Sequence, residues 1–149
     1  MKIKKFLLFA FLSVVFGLFQ FSNFSILGTK PDFALIFIGL VSVFISDFWE
    51  GVFFIALLSL VLKFSPYASV EILEIFVSGV IVLIGKKYLP FHRYLGFFIV
   101  IVLLTIAFYA ILYPLFIWSF IFLKEILYNI IIGSIIFLFI SKFKLIYRR

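Results

Sequence analysis

The chain contains no cysteine and only one histidine. The absence of cysteine excludes disulfides, iron–sulfur clusters and thiolate metal sites. His92 lies in a basic segment with no second histidine nearby, so we expect no metal site. There is also no glycine-rich phosphate loop, and no serine has a base at a spacing that suits nucleophilic catalysis. We therefore predict that the protein is not an enzyme and needs no cofactor.

Charged residues are scarce as well. They make up 13% of the 149 residues, whereas soluble domains carry roughly 25%. Hydrophobic residues make up 67% and the mean hydropathy is +1.41, and a 17.4 kDa globule cannot bury that much apolar side chain. Since no linker or long polar block interrupts the apolar pattern, the sequence predicts a single transmembrane domain over residues 1–149, in contact with a lipid bilayer.

The apolar residues fall into six segments that are separated by short polar stretches. A hydrocarbon core about 30 Å thick is crossed by about 17–25 helical residues. We therefore predict an all-α integral membrane protein with six transmembrane helices, over residues of about 6–24, 33–48, 52–64, 70–85, 95–113 and 118–141. Because the third segment is short, a re-entrant hairpin over residues 33–64 remains the alternative to two full spans.

Basic residues are concentrated in three clusters at the ends of these segments. Lys2–Lys5 contains three, Lys86–Arg93 three and Lys142–Arg149 four, which is ten of the thirteen. Because lysine and arginine mark cytoplasmic loops, this spacing predicts an even number of crossings with both termini cytoplasmic. Topology alone accounts for the net charge of +7, and we expect no nucleic-acid partner.

Three charged residues lie where the third and fourth segments meet. Glu71 and Glu74 stand at positions i and i+3 on one face of the fourth segment, and Lys63 ends the third on the same side of the membrane. An ion pair between Lys63 and either glutamate would neutralise charge there, and snorkelling to the headgroups explains the same residues. A substrate or proton site and a partner-binding corner both remain open.

The sixth segment contains Lys124, Glu125 and, one turn further on, Asn129. Neighbouring residues on a helix point in different directions, so Lys124 and Glu125 each need another partner. Asn129, together with Gln20 and Ser42, is a candidate for hydrogen bonds between helices, which contribute about 0.6 kcal/mol each on average.

Two stretches of the chain carry a resemblance to a known family. Residues 24–36 pass from the first segment to the second through a Pro-Asp step at Pro31 and Asp32, and residues 124–133 place Asn129 in the middle of the last segment. In these stretches and in its six-span plan the chain resembles MreD, the membrane subunit of the bacterial rod-shape machinery. It departs from that family at Lys63, where an acidic residue is typical.

The resemblance implies a function and a fold. It implies a non-catalytic scaffold in the bacterial cytoplasmic membrane that binds MreC, a single-span protein, and so couples MreB filaments to the enzymes of peptidoglycan synthesis. The family's fold is similar to that of the S subunits of energy-coupling-factor transporters, so a vitamin-binding or other solute-binding transporter subunit is the alternative. Few polar residues lie in the middle of the predicted spans, which favours the scaffold.

Overall fold

The computed structural model describes residues 3–22, 25, 28–64, 69–88 and 92–142, and every regular element among them is helical. Lys2 and the basic residues that follow Lys142 lie outside these ranges. The described elements are six α-helices and two short 3₁₀ turns, at Lys86–Tyr88 and Pro114–Phe116. The α-helices are α1 (Ile3–Phe21), α2 (Phe33–Phe44), α3 (Phe48–Leu62), α4 (Ser69–Gly85), α5 (Arg93–Leu112) and α6 (Phe120–Lys142). The all-helical expectation is confirmed.

Three of the six helices are long and apolar enough to cross a membrane: α1, α5 and α6. The other three are shorter, with 12 residues in α2, 15 in α3 and 17 in α4. At a rise of 1.5 Å per residue, α2 is only about 18 Å long. Length and composition therefore support a membrane protein, with three helices that reach the length of a span unaided.

The turn between α2 and α3 differs from the predicted one. The sequence pattern placed it at residues 49–51, but α2 ends at Phe44 and those three residues belong to the first turn of α3. The reason is a helix cap: the carboxylate of Asp47 accepts a hydrogen bond of 2.9 Å from the backbone N–H of Glu50. An aspartate at this position satisfies an N–H group that has no partner inside the helix, so α3 begins at Phe48.

Helix α2 forms the centre of the bundle. Eleven of its 12 residues are buried, and it contacts each of the other five α-helices. A helix that is apolar on all sides is buried either among other elements or in a membrane, and here the other helices surround it. Its side chains, among them Leu35, Phe37 and Leu40, are the largest contribution to the apolar core.

Two glycines let α5 approach α2 and α6 closely. A Cβ atom added at Gly39 would lie 3.1 Å from side-chain atoms of Ile101 and Phe97, and one added at Gly133 would lie 2.8 Å from Ile101. Small residues at such contacts are typical of helices that associate by close packing in a membrane. Phe97 and Ile101 therefore fill the space that the two glycines leave.

The outward faces of the long helices are apolar. On α1, Leu7, Phe11 and Leu18 are each more than half exposed, and α6 presents a similar row that includes Leu123 and Leu127. Soluble monomers rarely expose apolar patches of this extent. A lipid bilayer is the environment that suits these faces.

Candidate functional site

Side chains from three parts of the chain hold the N-terminus of α2. The backbone N–H of Asp32 donates to Oδ1 of Asn129 (2.8 Å), and that of Phe33 donates to Oε1 of Gln20 (2.9 Å). Oδ1 of Asp32 accepts from the N–H groups of Ala34 and Leu35, at 3.0 and 3.1 Å. The N–H groups at the start of a helix have no partner inside it, and here each of the four has a side-chain acceptor.

Asn129 is the residue that connects this cap to the rest of the bundle. It is completely buried, and its Nδ2 donates to Oγ1 of Thr105 on α5 at 3.2 Å. One amide thus joins α2, α5 and α6. The sequence singled out both Asn129 and Asp32, but the contact between them, across 97 positions of the chain, has no local signal. Pro31, just before Asp32, is also buried.

Asp32 precedes α2 and is buried among protein atoms. This burial raises the pKa of its carboxyl group to about 6, even though the two backbone hydrogen bonds favour the charged form, and Glu71 adds to the rise. A carboxyl group whose pKa is higher in the folded state stabilises the fold fully below about pH 4. That contribution is lost as the pH rises through about 6.

We expect the free energy of unfolding in detergent to depend on pH through Asp32. From its pKa, the loss between pH 4 and pH 7 is at most about 3 kcal/mol. Asp32→Asn keeps the capping oxygen but does not titrate, so its stability should fall less over the same interval. Denaturant unfolding at pH 4, 5, 6 and 7 measures the difference, and parallel profiles for the two proteins would contradict this role of Asp32.

Two further acidic residues at this end of the bundle accept hydrogen bonds from tyrosines. The hydroxyl of Tyr109 donates to Oε2 of Glu125 (2.5 Å), and the hydroxyl of Tyr113 donates to Oε1 of Glu71 (2.7 Å). We call this end, which contains Asp32, Glu71 and Glu125, the acidic end. Tyr109 and Thr105 had not been identified from the sequence, because a tyrosine or threonine in an apolar helix has no distinctive pattern.

Lys63 and Lys124, two of the lysines near the acidic end, form no ion pair with these carboxylates among the described residues. Lys63 is exposed, and within the described residues it forms no ion pair with Glu71 or Glu74, so of the alternatives that the sequence left open for this corner the ion pair is absent. Lys124 is half-buried, and its Nζ lies 4.8 Å from the centre of the Phe120 ring. Lys63 can extend its ammonium group to the lipid headgroups, and Lys124 makes a cation–π contact, so neither side chain needs an acidic partner.

Glu74 is different from the other acidic residues. Its side chain is 7% exposed, and within the described residues neither carboxylate oxygen accepts a hydrogen bond. Ser78 lies one turn further on and close enough to interact with Glu74, but the acceptor that its hydroxyl meets with hydrogen-bond geometry is the carbonyl of Ile75, at 3.2 Å. A buried polar group without a partner is rare and costs free energy.

Glu74 lines a groove between α4 and α5. The groove has a volume of about 540 Å³ and is bordered by one face of each helix. On α4 the lining positions recur every three or four residues from Val70 to Gly85, and on α5 they do so from Val100 to Ile111. Apart from Glu74 and Ser78 the lining is apolar: Val70, Leu73, Val77, Ile81, Val82, Gly85, Val100, Leu103, Leu104, Ala107 and Ile111.

No pattern in the sequence indicates this groove. α4 packs mainly on α3 and α5 mainly on α2, and α4 and α5 also contact each other, with the groove between their outer faces. The groove therefore depends on how four helices are arranged, so the residues of α4 and α5 alone do not encode it.

The opposite end of the bundle is basic. Nζ of Lys5 donates to the carbonyl of Phe44 (2.5 Å), and Nζ of Lys86 donates to those of Ile45 (3.1 Å) and Ser46 (2.7 Å). These carbonyls are at the C-terminus of α2, where cations interact favourably with the helix dipole. Burial lowers the pKa of Lys86, and Asp47 partly offsets this. We call this end the basic end.

Lys86 and Lys87 allow a test of this capping. Lys86→Met leaves the carbonyls of Ile45 and Ser46 without their cation, and we expect it to destabilise the protein by about 1–2 kcal/mol in detergent. Lys87 is exposed and lies over the ring of Tyr88, so Lys87→Met removes the same charge from the same turn and should have little effect. Equal losses of stability in the two variants would contradict the capping role.

Comparison with known proteins found no protein family, no curated protein and no solved structure that matches this chain.

Proposed function

We propose that the protein is a non-catalytic scaffold of the cell-wall elongation machinery in the bacterial cytoplasmic membrane. In this proposal an MreC-like single-span protein binds it through a transmembrane helix that lies in the groove between α4 and α5. The observation that carries the proposal is the groove itself, an apolar channel along the side of the bundle. The resemblance of residues 24–36 and 124–133 to MreD supplies the cellular role.

The dimensions of the groove suit a helix. Its lining extends over 16 positions of α4, from Val70 to Gly85, which is about 24 Å along the helix axis. This is most of the thickness of a hydrocarbon core of about 30 Å. Val77 and Ile81 are exposed at its edge, so the groove opens sideways, where lipid would be. Helices in membranes associate through packing of this kind.

The alternative, a solute-binding transporter subunit, requires a pocket with several polar groups directed into it. Most polar side chains of the acidic end are directed elsewhere. Asn129, Gln20 and Asp32 hold the start of α2, and Glu125 accepts a hydrogen bond from Tyr109. Since the described lining of the groove offers only Glu74 and Ser78 as polar side chains, a partner helix suits it better than a vitamin.

The two ends of the bundle suit the orientation that the positive-inside rule predicts. Lys5, Lys86 and Arg93 share the basic end, which we assign to the cytoplasm, and the acidic end faces outwards. Six crossings then leave both termini inside, and short loops carry no domain that reaches the cell wall. A scaffold of this shape acts through its partner, which connects MreB filaments to peptidoglycan synthesis.

The experiment is a depletion combined with a purification. In the bacterium that encodes the protein, we expect depletion to convert rod-shaped cells to round ones, and the tagged protein to co-purify with one single-span membrane protein whose soluble domain is outside. Purified protein that carries a stoichiometric small molecule, without any change of cell shape on depletion, would instead establish the transporter subunit.

A further inference from the structure

Glu74 is the one polar group in the groove that the described residues leave without a hydrogen bond. Burying a charged side chain in a membrane without a partner is energetically costly. The other acidic residues of this end have donors: Tyr113 for Glu71, Tyr109 for Glu125 and backbone N–H groups for Asp32. Because the groove opens towards the membrane, a binding partner is the natural source of a donor for Glu74.

The surroundings of Glu74 determine which kind of donor fits. Asp32 lies close enough to act on it electrostatically, whereas Glu71 does not line the groove and accepts a hydrogen bond from Tyr113. Lys30 donates to the carbonyl of Gln20, and Lys63 is exposed beyond the end of α3. The acidic residues therefore dominate the potential here, which favours a cation. No group of three His, Cys, Asp or Glu side chains within the described residues is placed to hold a metal ion.

We propose that the helix seated in this groove carries a lysine or arginine in its outer third, and that this side chain forms an ion pair with Glu74. This inference rests on the proposed function and names the feature by which the partner is recognised. Glu74 lies five residues after the start of α4, about 8 Å along its axis. A lysine or arginine at the same depth on the partner would meet the carboxylate, and the apolar lining beyond it would meet apolar residues.

The length of the groove favours a helix over a lipid. A phospholipid amine stays at the headgroup level and its chains cover one half of the bilayer, whereas the lining extends along nearly the whole of α4. A second copy of the chain is the other source of a cation, because Lys124 lies at a similar depth on α6. That contact would join two different surfaces, so it would produce rings or open chains of copies instead of a symmetric dimer.

The test places a photo-crosslinking amino acid at Val77, which lines the groove, and at Phe11 on the outward face of α1 as the control site. In cells we expect the Val77 position to crosslink one single-span protein, whose crosslinked helix contains a lysine or arginine in its outer third. We expect Glu74→Gln to reduce the yield at least about tenfold, because it removes the charge and keeps the shape. Glu71→Gln, which removes a charge outside the groove, should stay within about twofold of the unsubstituted protein.

Exchange of the two charges gives the decisive comparison. Glu74→Lys should abolish the crosslink, and a glutamate in place of the partner's basic residue should restore it to within about threefold. Thermal unfolding in detergent checks that Glu74→Gln folds as the unsubstituted protein does.

Other outcomes overturn the inference in distinguishable ways. If the Val77 position crosslinks the single-span protein equally well with Glu74→Gln, the ion pair is refuted while the proposed function stands. If it crosslinks only lipid, the proposed function fails as well. If it crosslinks a second copy, and Lys124→Met removes that product, the groove is a self-association surface and both proposals are wrong.

Discussion

Ala107→Trp is expected to reduce co-purification of the single-span partner at least about tenfold. Ala107 lines the groove on α5, and an indole there would occupy the space that the side chains of a partner helix need. The free protein should fold normally, because the added ring extends into the groove and away from the core. The measurement is affinity capture of the tagged protein from detergent-solubilised membranes, with the partner quantified relative to it.

Ala110→Trp is the matched control for the groove. Ala110 lies on the same helix and is exposed, but it does not line the groove. We expect this variant to retain the partner at a level within about twofold of the unsubstituted protein, since lipid adapts to the additional ring. Equal capture of the partner by the Ala107 and Ala110 variants would mean that the partner binds at a different surface.

Asn129→Leu is expected to destabilise the protein more than any other single substitution at the acidic end. The leucine is of similar size, but it leaves the buried N–H of Asp32 without an acceptor and removes the donor to Thr105. An unsatisfied buried polar group costs about 1–3 kcal/mol, and because both hydrogen bonds of the amide disappear we expect about 2–4 kcal/mol. The destabilisation should appear as a lower denaturant midpoint in detergent.

Two further substitutions, Thr105→Val and Ser134→Ala, separate the contributions of individual hydrogen bonds to stability. Thr105→Val removes the hydrogen bond from Nδ2 of Asn129 and the one that the Thr105 hydroxyl donates to the carbonyl of Ile101, but it leaves the cap on Asp32 intact, so its effect should be smaller than that of Asn129→Leu. Ser134 is on α6 one turn beyond, and its hydroxyl accepts from Tyr94 at an exposed position, so Ser134→Ala should cost little. If Asn129→Leu were as stable as Ser134→Ala, the cap on α2 would not contribute to the fold.

The helices themselves were predictable from the sequence, because apolar runs bounded by polar stretches indicate helices whatever their partners. The residues at which the helices begin and end were harder to predict. The pattern extended α2 to residue 48, since Phe44 and Ile45 continue its apolar run, whereas the cap by Asp47 assigns Phe48 to α3. Hydropathy measures how apolar a segment is and does not indicate which backbone groups have hydrogen-bond partners.

The site was predictable only in part. Asn129, Glu125 and Glu74 attract attention because polar residues inside apolar helices are costly. The hydrogen-bond partners of these residues could not be predicted, because the spacing within one helix does not indicate which residues of another helix face it. Thus Lys63 is the nearest base to Glu74 in the sequence pattern, while the structure leaves Glu74 facing the groove without it.

The interactions at the two ends of α2 suggest why a short helix can sit in the middle of a membrane protein. At the acidic end the side chains of Gln20, Asp32 and Asn129 satisfy its N–H groups. At the basic end Lys5 donates to the carbonyl of Phe44, its last residue, and Lys86 to the two carbonyls that follow. In lipid every backbone polar group needs such a partner. Two residues of the basic clusters, Lys5 and Lys86, therefore also cap the C-terminal end of the core helix.

The central claim, six crossings with the basic end in the cytoplasm, is tested most directly by single-cysteine labelling, because the chain has no cysteine of its own that would react. Trp118 is 94% exposed near the acidic end, and Trp49 is 75% exposed near the basic end. With a membrane-impermeant maleimide we expect Trp118→Cys to be labelled in intact cells, and Trp49→Cys only after the membrane is permeabilised. Labelling of Trp49→Cys in intact cells would instead place α2 and α3 in a re-entrant hairpin and contradict six crossings.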